Sequence, residues 1–333
     1  MLILVLFSIL NGRTLASNTH QNIFSYTVKV RNAVEGLDVI FERAEVNVNV
    51  MVDSISNSYD ASKQQDKAYN IKFIKGINGL VKSVLSNSPG VDGSWFQINA
   101  DLPFSAEAYN WYEFKENQFV NVKDQFVGTS SMNRKITPED DPYYFNAVYN
   151  RKPTWSDIYT DPDTKNAMVT ISAPIDKDGA LVGVVGIDIS INNIQQIINQ
   201  MRTILGDCEL YLLDKNNKVI LTQSDSNSKK ENYQFLSLFK YNNEGPIEYK
   251  DNLTKKTAVM FTLSNGYKIV ISIKDNTLYA DTNQMSTINY GLFILLVLST
   301  LIAFANQLKI NKLNEELEFF DKNLDTKPTQ EEE

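Results

Sequence analysis

The chain has 333 residues, of which 43% are hydrophobic and 22% charged, and its formal net charge is −8. These proportions are typical of a globular protein with enough apolar material for one large domain or two smaller ones. The acidic balance excludes nucleic acid as an expected partner, because a phosphate backbone requires a basic surface. One cysteine, Cys208, and one histidine, His20, exclude a disulfide framework and a Cys/His zinc site, and no metal or cofactor is expected.

The N-terminal part of the chain predicts a membrane segment followed by a long helix. Residues 1–16 form a hydrophobic segment that is either the end of an anchor or a signal peptide. Further along, apolar residues recur at alternating steps of four and three: Val30, Val34, Leu37, Phe41, Ala44, Val48, Met51 and Ile55. This stripe either pairs with a second copy in a homodimer or packs against the protein's own core. With a second helix over 67–85, it forms a predicted helical region over 17–88.

From Pro89 and Gly90 onward, short β-rich runs predict two antiparallel modules, over 89–205 and 206–284. The predicted strands are 94–100, 109–114, 167–175, 180–190, 208–214, 218–222, 257–264 and 267–274. Asp178-Gly179 and Asn265-Gly266 stand between consecutive strands, where they predict tight hairpin turns.

The C-terminal part predicts one transmembrane helix, over 285–306. Residues 287–305 carry no charge and are long enough to cross a bilayer, and Lys309 and Lys312 beyond them favour a cytoplasmic C-terminus. The protein is therefore expected in the cell inner or plasma membrane, with residues 17–285 periplasmic or extracellular. Residues 307–333 predict a short amphipathic helix with a polar tail, which could contact a separate cytoplasmic signalling partner.

Several short motifs between residues 141 and 197 occur together. They are DPYY (141–144), Trp155, Tyr159-x-Asp161, Ala173-Pro174-Ile175, Asp178-Gly179 and GVVGIDIS (183–190). As a set they resemble the double Cache family, whose members are PAS-like extracytoplasmic sensors of bacterial chemoreceptors, sensor histidine kinases and diguanylate cyclases. The resemblance covers about residues 20–285. It implies an α+β fold, with a long N-terminal helix and two PAS-like antiparallel-sheet modules before the transmembrane helix.

The resemblance also implies a ligand pocket in the first, membrane-distal module. In family members that bind amino acids, an Arg-Pro-Trp-Tyr stretch holds the ligand carboxylate, and a later tyrosine and aspartate hold its ammonium. Tyr144, Tyr159 and Asp188 match this pattern by position. Asp141 stands where the family has arginine, and Tyr143 stands where it has tryptophan.

An aspartate in place of the arginine changes the expected ligand, because a carboxylate repels another carboxylate whereas arginine binds it with two hydrogen bonds. We therefore expect an amine or quaternary ammonium ligand, held by carboxylates and aromatic rings, rather than a free α-amino acid. The candidate ligand-binding residues are Asp141, Tyr143, Tyr144, Trp155, Tyr159, Asp161 and Asp188. Alternatively, Asp141 caps a helix that begins at Pro142 and Trp155 is a core residue. Trp95, Trp111 and Tyr112 are further candidates.

The expected function is a membrane-anchored sensor that binds a small molecule and passes a signal across the membrane. The alternatives are a ligand-binding surface protein without its own output, or a receptor truncated before its effector domain. An enzyme is not expected, because a single histidine and a single cysteine do not form a catalytic or metal-binding cluster.

Overall fold

The computed structural model describes residues 2–115, 118–122, 135–223, 233–240 and 245–324. The chain divides into two compact units, of which one is Ser25–Asp275 and the other combines Met1–Phe24 with Asn276–Glu333. The larger unit contains both β-sheets, and the smaller one contains the apolar helix near the C-terminus.

The first helix, α1, spans Leu2–Ser58 and carries the predicted apolar stripe. All eight side chains of the stripe are at most 5% exposed: Val30, Val34, Leu37, Phe41, Ala44, Val48, Met51 and Ile55. Phe41 meets the ring of Trp155 edge to face, with their centroids 5.4 Å apart. The stripe therefore packs against the protein's own core, which decides between the two alternatives that the spacing left open.

The first sheet has seven antiparallel strands in the order β3-β2-β1-β7-β6-β4, with β5 also paired to β6. The strands are β1 Gly93–Ile98, β2 Tyr109–Lys115, β3 Gln118–Asn121, β4 Thr154–Trp155, β5 Tyr159–Thr160, β6 Ala167–Lys177 and β7 Ala180–Ser190. Asp178 and Gly179 have φ angles of 52° and 82°, as a two-residue hairpin turn requires, so the predicted turn is confirmed. A bulge between Ile175 and Asp176 then shifts the β6–β7 register by one residue.

Four helices accompany this sheet. They are α2 Lys67–Gly76, α3 Asn78–Ser86, α4 Pro142–Asn150 and α5 Ile191–Leu205. The single helix predicted over 67–85 is in fact two, because the chain leaves helical geometry at Ile77, where ψ is 1°. Gly76 and Gly79 flank this break, and glycine has low helix propensity.

The second sheet has five antiparallel strands in the order β10-β11-β12-β8-β9. The strands are β8 Cys208–Leu213, β9 Val219–Gln223, β10 Ile247–Asp251, β11 Thr254–Thr262 and β12 Lys268–Lys274. The predicted turn at Asn265-Gly266 lies between β11 and β12, with a φ of 84° at Gly266. Together the two sheets and the long first helix confirm the predicted α+β class.

The chain ends in α6, Asp275–Leu278, and α7, Ala280–Leu324. Within α7, Thr287–Glu315 is long and apolar enough to cross a membrane, with a mean hydropathy of 2.2. No other helix in the described ranges meets this criterion of length and composition.

Candidate functional site

A cavity of about 60 Å³ opens on the first sheet beneath α4. On this measure one water molecule needs about 10–15 Å³, so the cavity accommodates a small ligand group. Thirteen residues line it: Trp95, Phe96, Gln97, Tyr109, Asn110, Trp111, Ile136, Tyr143, Tyr144, Tyr159, Asp161, Asp163 and Asp188. The cavity therefore brings together strands β1, β2, β5 and β7 with the first turn of α4.

The charged lining of the cavity is entirely acidic. Asp161, Asp163 and Asp188 line it, whereas no lysine or arginine does so among the residues that the structure describes. Glu113 is also buried, and it shares a sheet row with Asp188 because both are register partners of Gly93. Glu113 forms an ion pair with Lys115, whereas the three carboxylates that line the cavity create a negative potential that attracts cations.

Asp188 is the carboxylate that strand β7 places at the base of the cavity. Its Oδ1 accepts hydrogen bonds from Trp95 Nε1 at 3.0 Å and from Thr170 Oγ1 at 2.8 Å. Burial raises the pKa of this carboxyl from 3.8 to about 7, and the two hydrogen bonds oppose the shift. The nearby charges of Asp161 and Glu113 raise the pKa further. A bound cation would favour the ionised form, because an opposite charge stabilises it.

Tyr143 and Tyr159 form an aromatic wall beside this carboxylate. Their ring centroids are 5.0 Å apart, and Trp95 meets Tyr143 edge to face at 5.3 Å. The Tyr159 hydroxyl is hydrogen-bonded to Thr170 Oγ1 at 2.8 Å, which connects the wall to Asp188. Burial raises the pKa of both tyrosines well above the usual value, so both hydroxyls stay protonated at neutral pH. Aromatic faces of this kind attract cations.

Tyr144 and Asp161 also line the cavity, but their polar atoms have local hydrogen-bond partners. The Tyr144 hydroxyl accepts a hydrogen bond from Ala100 N at 3.0 Å. Asp161 Oδ1 accepts hydrogen bonds from Asp163 N at 3.1 Å and Thr164 N at 2.6 Å, which hold the turn after β5. These two residues therefore shape the cavity, and Asp161 adds negative charge to it.

Asp141 and Trp155 do not line the cavity. Asp141 is buried behind Tyr143, and its carboxylate accepts hydrogen bonds from Tyr143 Oη at 2.8 Å and from Thr137 N at 2.9 Å. It immediately precedes α4, yet its side chain does not cap that helix. Trp155 packs instead against Phe41 of α1. Asp141 is thus placed to orient Tyr143, and Trp155 belongs to the core.

Of the further candidates, Trp95 and Trp111 line the cavity, whereas Tyr112 does not. Tyr112 alternates with Trp111 along β2, and its ring lies 4.5 Å from Lys82 Nζ. Sequence reasoning missed Thr170, whose hydroxyl bonds both Asp188 and Tyr159. A polar residue in the middle of an apolar strand is the signal that could have pointed to it.

Comparisons with known proteins show what the part of the chain that contains this site is similar to. Residues 77–196 match the model of the methyl-accepting chemotaxis protein-like first PDC sensor domain. No curated protein sequence matches the chain.

Solved structures of chemoreceptor domains share the fold. The ligand-binding domain of the Campylobacter jejuni chemoreceptor Tlp3 in complex with 4-methylisoleucine is 15% identical, with a TM-score of 0.57 over 78% of this chain and 93% of that one. Its complex with L-valine is 16% identical, with a TM-score of 0.53 over 80% and 96%. A structure of methyl-accepting chemotaxis protein X is 14% identical, with a TM-score of 0.52 over 76% and 97%. Residues 77–196 are therefore similar to the chemotaxis-protein-like first PDC sensor domains, and the chain shares the fold of chemoreceptor ligand-binding domains.

Proposed function

We propose that this protein is a membrane-anchored extracytoplasmic sensor whose first β module binds a small organic cation, either an amine or a quaternary ammonium. One observation carries the proposal: the cavity combines three carboxylates with aromatic rings, and no basic residue lines it within the described chain. The Tlp3 domain has been solved with 4-methylisoleucine and with L-valine, which both carry a carboxylate. In our chain such a carboxylate would face Asp161, Asp163 and Asp188, with no cationic partner among the described lining residues.

The cation would lie between the Asp188 carboxylate and the rings of Tyr143 and Tyr159. Asp188 Oδ1 is already used by Trp95 and Thr170, and no described residue donates a hydrogen bond to Oδ2. Oδ2 can therefore pair with an ammonium group, while the tyrosine rings interact with its positive charge through their faces. Asp141 supports this arrangement by holding the hydroxyl of Tyr143.

A thermal-shift screen of the full chain in detergent micelles tests this function. The panel contains primary amines, quaternary ammonium salts, α-amino acids and simple carboxylates at equal ionic strength. Because a ligand that binds only the folded state stabilises it by mass action, cations should raise the melting temperature. If only carboxylates or amino acids raise the melting temperature, the proposal is contradicted.

The affinity for a quaternary ammonium ligand is expected to fall as the pH drops below 7. The pKa of Asp188 is raised to about 7 in the free protein, so the carboxylate that pairs with the cation is mostly ionised above pH 7 and protonated below it. Each further pH unit below that point should weaken binding about tenfold. Titration with tetramethylammonium from pH 5.5 to 8.5 measures this, since that ligand has no proton to lose. An unchanged dissociation constant across the range would argue against Asp188 as the partner.

A chain of hydrogen bonds supports a route from the cavity to the second module. Thr170, which contacts Asp188, exchanges hydrogen bonds with Ser156: Thr170 N donates to Ser156 Oγ at 3.0 Å and Ser156 N donates to Thr170 O at 2.8 Å. From the second module, Tyr267 Oη reaches Ser156 O at 3.5 Å and Lys215 Nζ donates to Trp155 O at 3.0 Å. We propose that ligand occupancy shifts β4 and, through these contacts, the second module and the membrane helix.

Tyr267→Phe is expected to leave cation affinity within about twofold while reducing the response of the second module. The substitution removes the hydroxyl that contacts Ser156, directly after β4, and keeps the buried ring. Hydrogen exchange of β8 and β12, with and without tetramethylammonium, provides the measurement. Tyr249→Phe is the matched control, because its hydroxyl bonds Ser272 within the second module. If both variants keep the wild-type response, the contact at Ser156 is not part of the route.

We also propose a homodimer through a face of α1 other than the buried stripe. Val39, Val46 and Val50 are 37%, 61% and 45% exposed and follow one another at steps of seven and four. This spacing places them on one side of the helix, as a helix pair requires. Sedimentation of the full chain in detergent should give a dimer for the wild type and a monomer for Val46→Glu. If the two proteins have the same mass, this face of α1 is not a dimer interface.

A further inference from the structure

Trp111 provides a hydrogen-bond donor at the cavity for which the described part of the chain offers no acceptor. It lies on β2 directly opposite Trp95 on β1, and both indoles line the cavity. Trp95 Nε1 donates to Asp188, whereas Trp111 Nε1 is buried and no described residue accepts a hydrogen bond from it. A buried N–H group without an acceptor destabilises the folded state, so folded proteins rarely retain one. With no acceptor among the described residues, Trp111 Nε1 is available to an acceptor on a bound ligand.

Gly93 lies beside this donor and allows it to approach the Asp188 carboxylate. A methyl group built on Gly93 would lie 2.9 Å from Asp188 Oδ2 and 3.0 Å from Trp111 Nε1. Gly93 is not among the glycines with positive φ, so the backbone does not require glycine here. The missing side chain instead lets the Asp188 carboxylate and the Trp111 indole N–H both lie close against the backbone of β1.

We propose that the ligand carries a neutral oxygen close to its cationic nitrogen, and that Trp111 Nε1 donates a hydrogen bond to this oxygen. The inference rests on the proposed function, since it assumes that Asp188 holds the nitrogen. An amino alcohol has this pattern: its ammonium pairs with Asp188 Oδ2, and its hydroxyl oxygen accepts from Trp111. A carboxylate oxygen would accept the same hydrogen bond, but the acidic lining opposes its charge.

Trp111 is then a specificity-determining residue that selects hydroxylated cations from plain ones. A site with a buried polar group discriminates against a ligand that lacks the matching group, because the polar group is left unpaired. The other explanation is structural: the indole could serve only to pack beside Asp188 and hold its carboxylate. The two explanations differ in the response of two ligands that share an ammonium and differ by one hydroxyl.

Titration calorimetry of the full chain in detergent with ethanolamine and ethylamine separates these explanations. The wild type is expected to bind ethanolamine about tenfold more tightly than ethylamine. Trp111→Phe, which keeps an aromatic ring and removes the N–H, should lower ethanolamine affinity to that of ethylamine and leave ethylamine within about twofold. Where Trp111→Phe fails to fold, a benzothienyl analogue of tryptophan introduced at this position removes the N–H and preserves the shape.

The results that would contradict the role of Trp111 differ from those that would contradict the proposed function. Equal affinities of the two ligands in the wild type, or an equal loss of both in the variant, would overturn the role of Trp111 and leave the cation site standing. Failure of the wild type to bind either ligand or tetramethylammonium would overturn the proposed function and this inference with it.

Discussion

Asp188→Asn is expected to abolish the binding of organic cations and, at the same time, to raise the stability of the free protein at pH 8. Asparagine has the shape of aspartate and keeps an oxygen that can accept from Trp95 Nε1 and Thr170 Oγ1. The substitution removes the buried negative charge, so the cation loses its partner and its affinity should fall at least about a hundredfold. A residue with only a structural role would lose stability on substitution.

The sign of the stability change follows from the raised pKa of Asp188. This pKa is about 7 in the folded protein and near 3.8 in the unfolded chain, so the carboxyl contributes stability that is fully present below pH 3.8. That contribution is lost as the pH rises through 7. Since one pKa unit corresponds to about 1.4 kcal/mol, the ionised carboxylate costs on the order of a few kcal/mol above pH 7. Asparagine carries no charge, so Asp188→Asn does not have this energetic cost.

Thermal melts of both proteins at pH 5 and pH 8, combined with cation titrations at pH 8, provide the measurement. The melting temperature of Asp188→Asn should exceed that of the wild type clearly at pH 8 and less at pH 5. Asp140→Asn is the matched control, because Asp140 is exposed and lies in the same module. If Asp188→Asn binds cations with normal affinity, or is less stable than the wild type at pH 8, Asp188 is not the partner of the cation.

Phe41→Ala is expected to destabilise the Ser25–Asp275 unit by about 3–5 kcal/mol, the usual cost of deleting a buried phenylalanine. Phe41 is fully buried at the middle of the apolar stripe of α1 and packs against Trp155. The surrounding helix and sheet cannot close the resulting cavity without moving their backbones, so the contacts and buried area are lost together. This loss concerns the protein's own core and should not depend on protein concentration.

Denaturant unfolding of the wild type and Phe41→Ala at two protein concentrations measures this effect. Tyr149→Ala is the control, since it deletes a similar ring that is 67% exposed and should cost less than about 1 kcal/mol. If Phe41→Ala is as mild as the control, or if its effect disappears at high concentration, the stripe faces a partner chain instead.

Most of the fold could be predicted from the regular spacing of apolar residues and from the residues typical of tight turns. The alternating four-and-three spacing on α1 predicts one buried side, and every member of the stripe is buried. Asp-Gly and Asn-Gly predict their turns because both residues tolerate the positive φ that tight hairpins require. Strand β10 was missed, because its alternating polar residues Glu248 and Lys250 make the segment resemble a loop.

The contact between Thr170 and Asp188 could not be predicted from the hairpin turn. A regular two-residue turn at Asp178-Gly179 would place Ile187 opposite Thr170. The bulge between Ile175 and Asp176 shifts the pairing by one residue and brings Asp188 opposite Thr170 instead. Because side chains alternate between faces, such a shift decides which residues meet.

The roles of Asp141 and Trp155 depended on tertiary packing, which the spacing of the motif does not contain. Asp141 occupies the position of the family's arginine, but its shorter side chain bonds Tyr143 and Thr137 behind the cavity wall. Trp155 lies on the short strand β4, where its ring meets α1 rather than the cavity. Of the aspartates predicted for the pocket, Asp161 and Asp188 line the cavity and Asp141 does not, whereas Asp163 and Glu113 were not predicted.

Calorimetric titration of the full chain with L-valinol and L-valine tests the central claim most directly. The two molecules differ only in that a hydroxymethyl group replaces the carboxylate, so one is a cation and the other a zwitterion. A cavity lined by Asp161, Asp163 and Asp188 should bind L-valinol and show no heat with L-valine at the same concentration. Tight binding of L-valine without binding of L-valinol would contradict the assignment of this sensor to organic cations.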